Sequence, residues 1–394
     1  MLYRNYGKTG YQVSSLGLGC MRLPRIIKNN EATADVDREK AYELIRYAAD
    51  HGVTYFDTAY GYHGKTSEEI LGEALDGGRR EKVKIATKQP FGTMEDLSSG
   101  GGKTILSNAR RNLENTLKKL KTGFLDVYLI HNINAGSWEG IKKNKVFEEY
   151  EKFRAEGLIR AIGFSFHGKF PLFKEVLESY NWDMCQVQQN LIDVNKEVTE
   201  NAIRLAGKKG CALVVMEPLR GGSLAGPPER IRALYDGFPV KRSAVEWAFR
   251  HILDYPEVST VLSGMSSLEQ LKENIEIFSK ADTLPGCVSA EEREILTKVK
   301  AAYESVKVIP CTGCEYCLPC PEGVDIPGTF TKYNEANMFE SFDQPRRSYL
   351  FQTRMKKDAS LCAACGACEK KCPQHIDIIQ QLKTAHESLK GWVE

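Results

Sequence analysis

The sequence predicts an α/β protein of the (β/α)8 barrel class followed by a small, cysteine-rich, all-α module. Three observations point there. Strand-like and helix-like segments alternate eight times over roughly 270 residues, the count and size of a closed parallel barrel. The strand-like runs end in polar or ionisable side chains. Eight of the twelve cysteines fall in two tight groups after residue 310. A doubly wound sheet would use similar units, but its G-x-G-x-x-G turn after the first strand is missing, and Gly17-Leu18-Gly19 alone is weak evidence for it.

Residues 3–13 read as a short hairpin with turn residues at its tip. Strand runs then end near Gly19, Asp57, Lys88, His131, Ser165, Gln188, Glu217 and Gly264, with helical patterns at about 38–51, 66–76, 104–121, 143–156, 169–180, 198–209, 239–252 and 267–279. In the third of these, Ile105, Leu106, Ala109, Leu113, Leu117 and Leu120 recur at helical spacing. Thr66 and Glu69 have capping-box spacing, as do Ser289 and Glu292 at the start of a linker helix over about 289–306. The expected domains are 1–285 (barrel), 286–307 (linker helix) and 308–394 (helical module). The glycine-rich stretch 92–103 reads as a substrate loop.

Net charge is +2 with no long like-charge block, which excludes a global field for nucleic acid. The N-terminus lacks the apolar core of a signal peptide, and no stretch is apolar enough to cross a bilayer. A cytoplasmic protein with no nucleic-acid or membrane partner is expected.

The stretch Val53–Tyr62 is the chemical centre. An apolar run ends in Asp57, and five residues later Tyr62 stands in a glycine-containing loop. Alone, this could be a turn tied by an acid beside a half-buried aromatic. In a barrel, however, Asp57, Lys88, His131, Ser165 and Gln186 all reach the same C-terminal mouth. There a lysine ammonium beside a tyrosine favours the phenolate and lowers the phenol pKa. An aspartate keeps the lysine charged, and a neutral histidine can donate to a carbonyl oxygen. This set would polarise a ketone or aldehyde and protonate the alkoxide as hydride arrives. No Ser-His-Asp elbow or His-Glu-x-x-His motif competes.

Together Leu16-Gly17-Leu18-Gly19, Phe56-Asp57-Thr58-Ala59-x-x-Tyr62, Glu68…Leu71-Gly72-x-Ala74-Leu75, Ala86-Thr87-Lys88, Asp126-x-Tyr128-Leu129-Ile130-His131 and Ile162-Gly163-x-Ser165 resemble the aldo-keto reductase family over roughly residues 1–285. The resemblance implies a catalytic tetrad of Asp57, Tyr62, Lys88 and His131, with Tyr62 as general acid/base. It implies NADP or NAD across the mouth, and a small carbonyl substrate. Gly19, Met21 and Asp57 join the cofactor set. Ser165 and Gln186 match the carboxamide positions. Met216, Pro218 and Leu219 match the loop after the seventh strand. Gly264, Ser266, Gln270, Glu273 and Asn274 match the phosphate and adenine end, where the amides of a helix N-terminus make a natural cradle. Met216 replaces a frequent stacking aromatic, Phe166 a frequent asparagine, and Gln270 a frequent arginine, with Lys272 nearby. Without the tetrad, Ser266, Glu273 and Asn274 would read as an ordinary helix start and a solvated face.

The second cysteine group, Cys362, Cys365, Cys368 and Cys372, has the spacing C-x2-C-x2-C-x3-C-P of bacterial ferredoxins. The first, Cys311, Cys314, Cys317 and Cys320, is one residue shorter before its fourth cysteine. Val324-Asp325-Ile326 and Ile376-Asp377-Ile378 follow the two groups at the same offset, an internal repeat. Two [4Fe–4S] clusters are the first reading, with a single cluster or zinc as alternatives. Helical patterns over 330–339, 346–356 and 376–392 complete a resemblance to the α-helical ferredoxin module. Cys20, Cys185, Cys211 and Cys287 are isolated and read as small apolar fillers.

Nicotinamide passes electrons in pairs and a cluster passes one at a time. The clusters could therefore serve a ferredoxin or flavoprotein partner, sense redox state, or staple a small domain. A carbonyl reductase with an accessory iron–sulfur domain is the first functional reading. The second is an electron-transfer or redox-sensing protein whose barrel holds nicotinamide without turnover.

Overall fold

The computed structural model describes residues 1–28, 31–90, 102–193 and 200–391 and contains a closed barrel of eight parallel strands. In chain order, β1 (Tyr3–Asn5) and β2 (Gln12–Ser14) form an antiparallel hairpin, and β3 (Leu16–Gly19) opens the barrel. A second antiparallel hairpin follows, β4 (Arg25–Lys28) with β5 (Glu31–Val36). The barrel continues through β6 (Tyr55–Asp57), β7 (Lys84–Pro90), β8 (Leu125–Ile133), β9 (Ile159–Phe166), β10 (Met184–Gln188), β11 (Ala212–Met216) and β12 (Val258–Ser263), which pairs back to β3. Every barrel strand ends within two residues of its expected position. The stretch 92–101 lies outside the described residues, and Gly102 opens the helix Gly102–Lys119.

The strands alternate between two cores, as pleating demands. In β8, Val127 and Leu129 enter the barrel interior with Tyr6, Tyr55, Met184 and Val214, whereas Tyr128 and Ile130 face the helices. Ala109 and Leu113 bury the matching stripe of the helix Gly102–Lys119, and Leu120, just past its end, is buried with them. Gly163 in β9 is required by this packing: a Cβ there would stand 2.3 Å from the Met184 side chain. Asp126, at the start of β8, is scaffold: it pairs with Arg80 at 2.9 Å and Lys84 at 3.2 Å and accepts from the Ile85 amide.

The chain divides into two units that are not contiguous in sequence. One comprises Met1–Gly221 and Val245–Ser289; the other comprises Gly222–Ala244 and Ala290–Glu394. The excursion Gly222–Ala244 belongs with the second unit because its helix Glu229–Asp236 buries Ile231 and Tyr235 and packs against the helix Ala290–Glu304. The second unit also holds helices Ile326–Met338, Asp343–Arg354 and Ile378–Leu389. The repeated Asp325 and Asp377 are N-caps: their carboxylates accept from Gly328 N and Gln380 N.

Thr66 does not form the expected capping box. The preceding turn, Tyr62–Lys65, delivers it in a helical conformation, and its hydroxyl donates to His63 O at 2.7 Å. Glu69 is pulled away to Arg38 at 2.9 Å. Among the described residues no helix is long and apolar enough to cross a membrane.

Candidate active site

Asp57, Lys88 and Tyr62 meet at the mouth because β6 and β7 are neighbours and Asp57 lies beside Ala86 in register. Lys88 Nζ donates to Asp57 Oδ1 at 2.5 Å, to Thr58 O at 2.9 Å and to Tyr62 Oη at 3.2 Å. The lysine is only 1% exposed. Its neighbour Thr87 points to the other face, where its hydroxyl and that of Thr116 both donate to the buried Glu68 Oε1 at 2.8 and 3.0 Å. Alternation along β7 thus turns one residue into an anchor and the next into a site residue. The turn carrying Tyr62 is pinned through the following His63, whose Nε2 accepts from the Leu23 amide at 3.3 Å. His131 presents its ring edge-on to Tyr62, with centroids 6.4 Å apart.

Burial dominates the electrostatics. It pushes the Asp57 carboxyl up, with the Lys88 ammonium pulling against it. It would pull Lys88 down, but Asp57 and Tyr62 outweigh it and the ammonium stays charged. His131 is pushed down to about 3 by burial, the Lys88 charge and His167, so its imidazole is neutral at ordinary pH. Tyr62 departs from the sequence expectation: burial raises its phenol above 10, and the Asp57 charge adds to it, so the downward pull of Lys88 does not win. The site keeps the proton on Tyr62 instead of stripping it. Cys20 is fully buried beside this set and burial raises its thiol, which leaves it an inert filler.

Ser165 and Gln186 face each other across β9 and β10, both nearly fully buried. Gln186 Nε2 donates weakly to Met216 Sδ at 3.7 Å, and its Oε1 is buried with no partner among the described residues. A carboxamide needs such an unspent acceptor, so this pair fits a nicotinamide amide. Gly19 closes β3 beside Asp57, and Met21 is exposed on the turn that follows. After β11, Pro218 is buried and Leu219 half-buried. At the phosphate end, Gly264, Ser266, Gln270 and Glu273 are exposed around the start of the helix Leu268–Ile277. Gln270 Oε1 accepts from the Ser266 amide at 2.9 Å, while Asn274 is turned inward to Ser263 Oγ at 2.9 Å. Lys272 sits over the Tyr47 ring.

Sequence reasoning missed two residues. His167 follows the end of β9, two positions after Ser165, and burial together with the Lys88 charge lowers its pKa; an ionisable residue just past a strand end was the available signal. Gln189 is buried with both side-chain amide atoms unpartnered among the described residues, and nothing in the sequence marked it.

In the second unit, Cys311, Cys314, Cys317 and Cys372 line one cavity with Ile326, Pro327, Phe330, Ile376 and Ile378. Cys320, Cys362 and Cys368 pack against the same apolar cluster, and Cys365 is exposed. The Gly313 amide donates to Cys311 Sγ at 3.4 Å. Among the described residues no three His, Cys, Asp or Glu side chains converge on a single ion position. Four thiols spread round a cavity, three from one motif and the fourth from before the proline of the other, suit a polynuclear cluster and its donor chemistry.

The barrel with this buried set belongs to an oxidoreductase. More specifically, the chain belongs to the aldo/keto reductase family, whose model matches residues 15–285; a 4Fe-4S dicluster domain matches residues 310–376. It is similar to the uncharacterized oxidoreductase YqkF of Bacillus subtilis, 28% identical over 296 residues that cover 70% of this chain and 90% of that one. It is 26% identical to L-galactose dehydrogenase of Arabidopsis thaliana over 328 residues, 77% of this chain and 95% of that one. Among solved structures it is similar to the aldo-keto reductase AKR11C1 from Bacillus halodurans in its holo form, with a TM-score of 0.61 and 26% identity, covering 76% of this chain and 96% of that one.

Proposed function

We propose that this protein reduces a ketone or aldehyde to an alcohol using NADPH or NADH, with Tyr62 as the proton donor. The observation that carries this reading is the buried Lys88 ammonium, held 2.5 Å from Asp57 Oδ1 and 3.2 Å from Tyr62 Oη. A bound nicotinamide coenzyme would supply the hydride. Asp57 keeps Lys88 charged and aimed. Lys88 stabilises negative charge at Tyr62 Oη once the proton has left. Neutral His131 donates to the carbonyl oxygen and orients it. Tyr62 Oη delivers the proton to that oxygen, which becomes far more basic than a phenolate as the carbonyl is reduced.

Ser165 and Gln186 hold the carboxamide. Gly19, Met21, Met216, Pro218 and Leu219 line the nicotinamide, and Gly264, Ser266, Gln270, Glu273 and Asn274 serve the phosphate and adenine end. In the second unit we assign two [4Fe–4S] clusters, one on Cys311, Cys314, Cys317 and Cys372, the other on Cys362, Cys365, Cys368 and Cys320. A ferredoxin or flavoprotein would be their electron partner, since a cluster carries single electrons. All twelve cysteines are free, which suits the reducing cytoplasm.

The test is turnover of a carbonyl panel by anaerobically purified protein and its Tyr62→Phe variant, with coenzyme binding followed by fluorescence. The variant should bind coenzyme and lose turnover. Unchanged turnover would remove Tyr62 as the acid. Iron and sulfide analysis should give about eight of each per chain; about four would leave one cluster.

A further inference from the structure

The two cysteine groups of the second unit repeat in sequence but differ in surface charge. From 311 to 323 the chain carries Glu315 and Glu322, both exposed, and no lysine or arginine. Lys307, ahead of this group, is spent on Cys311 O at 2.5 Å. From 362 to 373 the exposed charges are Lys370 and Lys371. Glu369, beside them, is half-buried, and its Oε1 accepts from the Ile379 amide at 2.9 Å. Lys356, on the turn after the helix Asp343–Arg354, is exposed as well. Among the described residues none of these three lysines pairs with a carboxylate. A lysine just past a helix C-terminus is ordinary, since it meets the macrodipole, so Lys356 alone would need no further reason. Lys370 and Lys371 end a three-residue turn, Glu369–Lys371, and have no such helix end to complement.

Large apolar side chains are exposed in the same part of the chain. Phe351 (66% exposed) and Met355 (53%) stand one helical turn apart, and Leu361 (38%) directly precedes Cys362. Backbone contacts tie these residues to one set of thiols. The Lys356 carbonyl oxygen lies 3.9 Å from where a Cβ of Gly323 would stand, and the Gly323 amide closes the turn of Cys320 on Cys320 O at 2.9 Å. The Lys371 amide donates to Cys368 O at 3.2 Å. Lysine or exposed leucine therefore borders Cys320, Cys362 and Cys368, and the fourth thiol of that set, Cys365, is itself exposed. Tyr316, 64% exposed, shows that apolar exposure occurs at the first group too; the sign of the charge is what separates them.

We propose that Phe351, Met355, Leu361, Lys356, Lys370 and Lys371 form the docking surface for a small acidic one-electron carrier of the ferredoxin type, which exchanges electrons with the cluster of Cys320, Cys362, Cys365 and Cys368. The proposal rests on the functional reading above, in which those four thiols hold a [4Fe–4S] cluster. One electron crosses in each encounter: the carrier is oxidised as the cluster is reduced, or the reverse, and no bond or proton changes hands. The apolar side chains supply contact area, and the lysines attract and orient the carrier. The acidic face of the first group disfavours the same carrier.

The experiment is anaerobic calorimetric titration of the full-length, cluster-loaded protein with two probes, a plant-type [2Fe–2S] ferredoxin, which is acidic, and a basic c-type cytochrome. We expect the ferredoxin to bind and the cytochrome to bind at least tenfold more weakly at low salt. The double variant Lys370→Glu, Lys371→Glu should lose about tenfold in ferredoxin affinity at low salt. That loss should vanish near 1 M salt, where charges are screened beyond about 3 Å. Phe351→Ala should lose about tenfold at either salt, because apolar contact is not screened. Glu315→Gln should not weaken binding. Iron content and the EPR midpoint potentials, measured on each variant, show that the clusters are intact. No ferredoxin binding, equal binding of the cytochrome, or undiminished affinity in the lysine variant overturns the docking surface, and a changed potential with unchanged affinity would make the lysines tuners of the cluster instead. Failure to load any cluster removes the functional reading and the docking surface together; loaded clusters without these affinity losses remove the docking surface alone.

Discussion

The barrel mouth and the cysteine cavity solve the same problem, holding reactive side chains in place, by opposite means. At the mouth, Lys88 and Asp57 stand on adjacent strands, almost fully buried, with Glu68 and Thr87 bracing the outer face. The lysine's three partners, Asp57 Oδ1, Thr58 O and Tyr62 Oη, all come from the protein itself. In the cysteine unit the thiols sit on turns between short helices over a small apolar cluster that includes Ile309, Val324, Phe330 and Leu382, and Cys314 and Cys365 are exposed. Such a unit has too small a core to be independent of what its thiols hold. The difference teaches that preorganisation at the first site comes from strand pairing and burial, whereas at the second the thiols stand on turns over a small apolar cluster.

That contrast can be broken or sharpened in stages. The largest effect is expected at the mouth, where Tyr62→Phe should lower the turnover number about 10²–10⁴-fold with coenzyme affinity retained; single-turnover kinetics check it. Next, anaerobic iron chelation should melt the second unit while the barrel strands stay protected, seen as protease cleavage within both 222–244 and 290–391 with none between residues 102 and 193. An undisturbed second unit would show that its apolar cluster suffices. Third, Lys88→Met leaves the Asp57 carboxylate buried without its partner, which should destabilise the barrel by about 3–5 kcal/mol in chemical denaturation. The smallest effects concern pH. Tyr62 is raised above 10 and His131 lowered to about 3, so carbonyl reduction should stay flat from about pH 5 to 9. A step near 6.5 would mean that His131 titrates normally. The same depressed His131 makes the folded state lose stability as pH falls from about 6.5 toward 3, because only the unfolded chain takes up that proton.

Much of the barrel was legible because a parallel strand buried on both faces is a short apolar run with an abrupt polar end. Phe56-Asp57 and Ile130-His131 show this, and their meeting at one rim follows from barrel topology. The hairpin of β4 and β5 was not legible: Arg25–Lys28 and Glu31–Val36 carry few buried side chains and so no periodic pattern. Nor was the allegiance of Gly222–Ala244, since an amphipathic helix does not declare which core it covers. The direction of the Tyr62 shift was misjudged because the charges of Lys88 and Asp57 can be read from sequence while depth of burial cannot. Of the cysteine cavity, the sequence offered the ligand types and their spacing; the apolar wall of Ile326, Pro327 and Phe330 needed the fold.

The chain crosses between its two units three times, at 221/222, 244/245 and 289/290, so the iron–sulfur region is spliced into the reductase as well as appended to it. A barrel produced by stopping at residue 289 would still carry Ile231 and Tyr235 stripped of the helix they cover, and it should aggregate. Replacing 222–244 with a short turn in the same clone should restore a monodisperse protein.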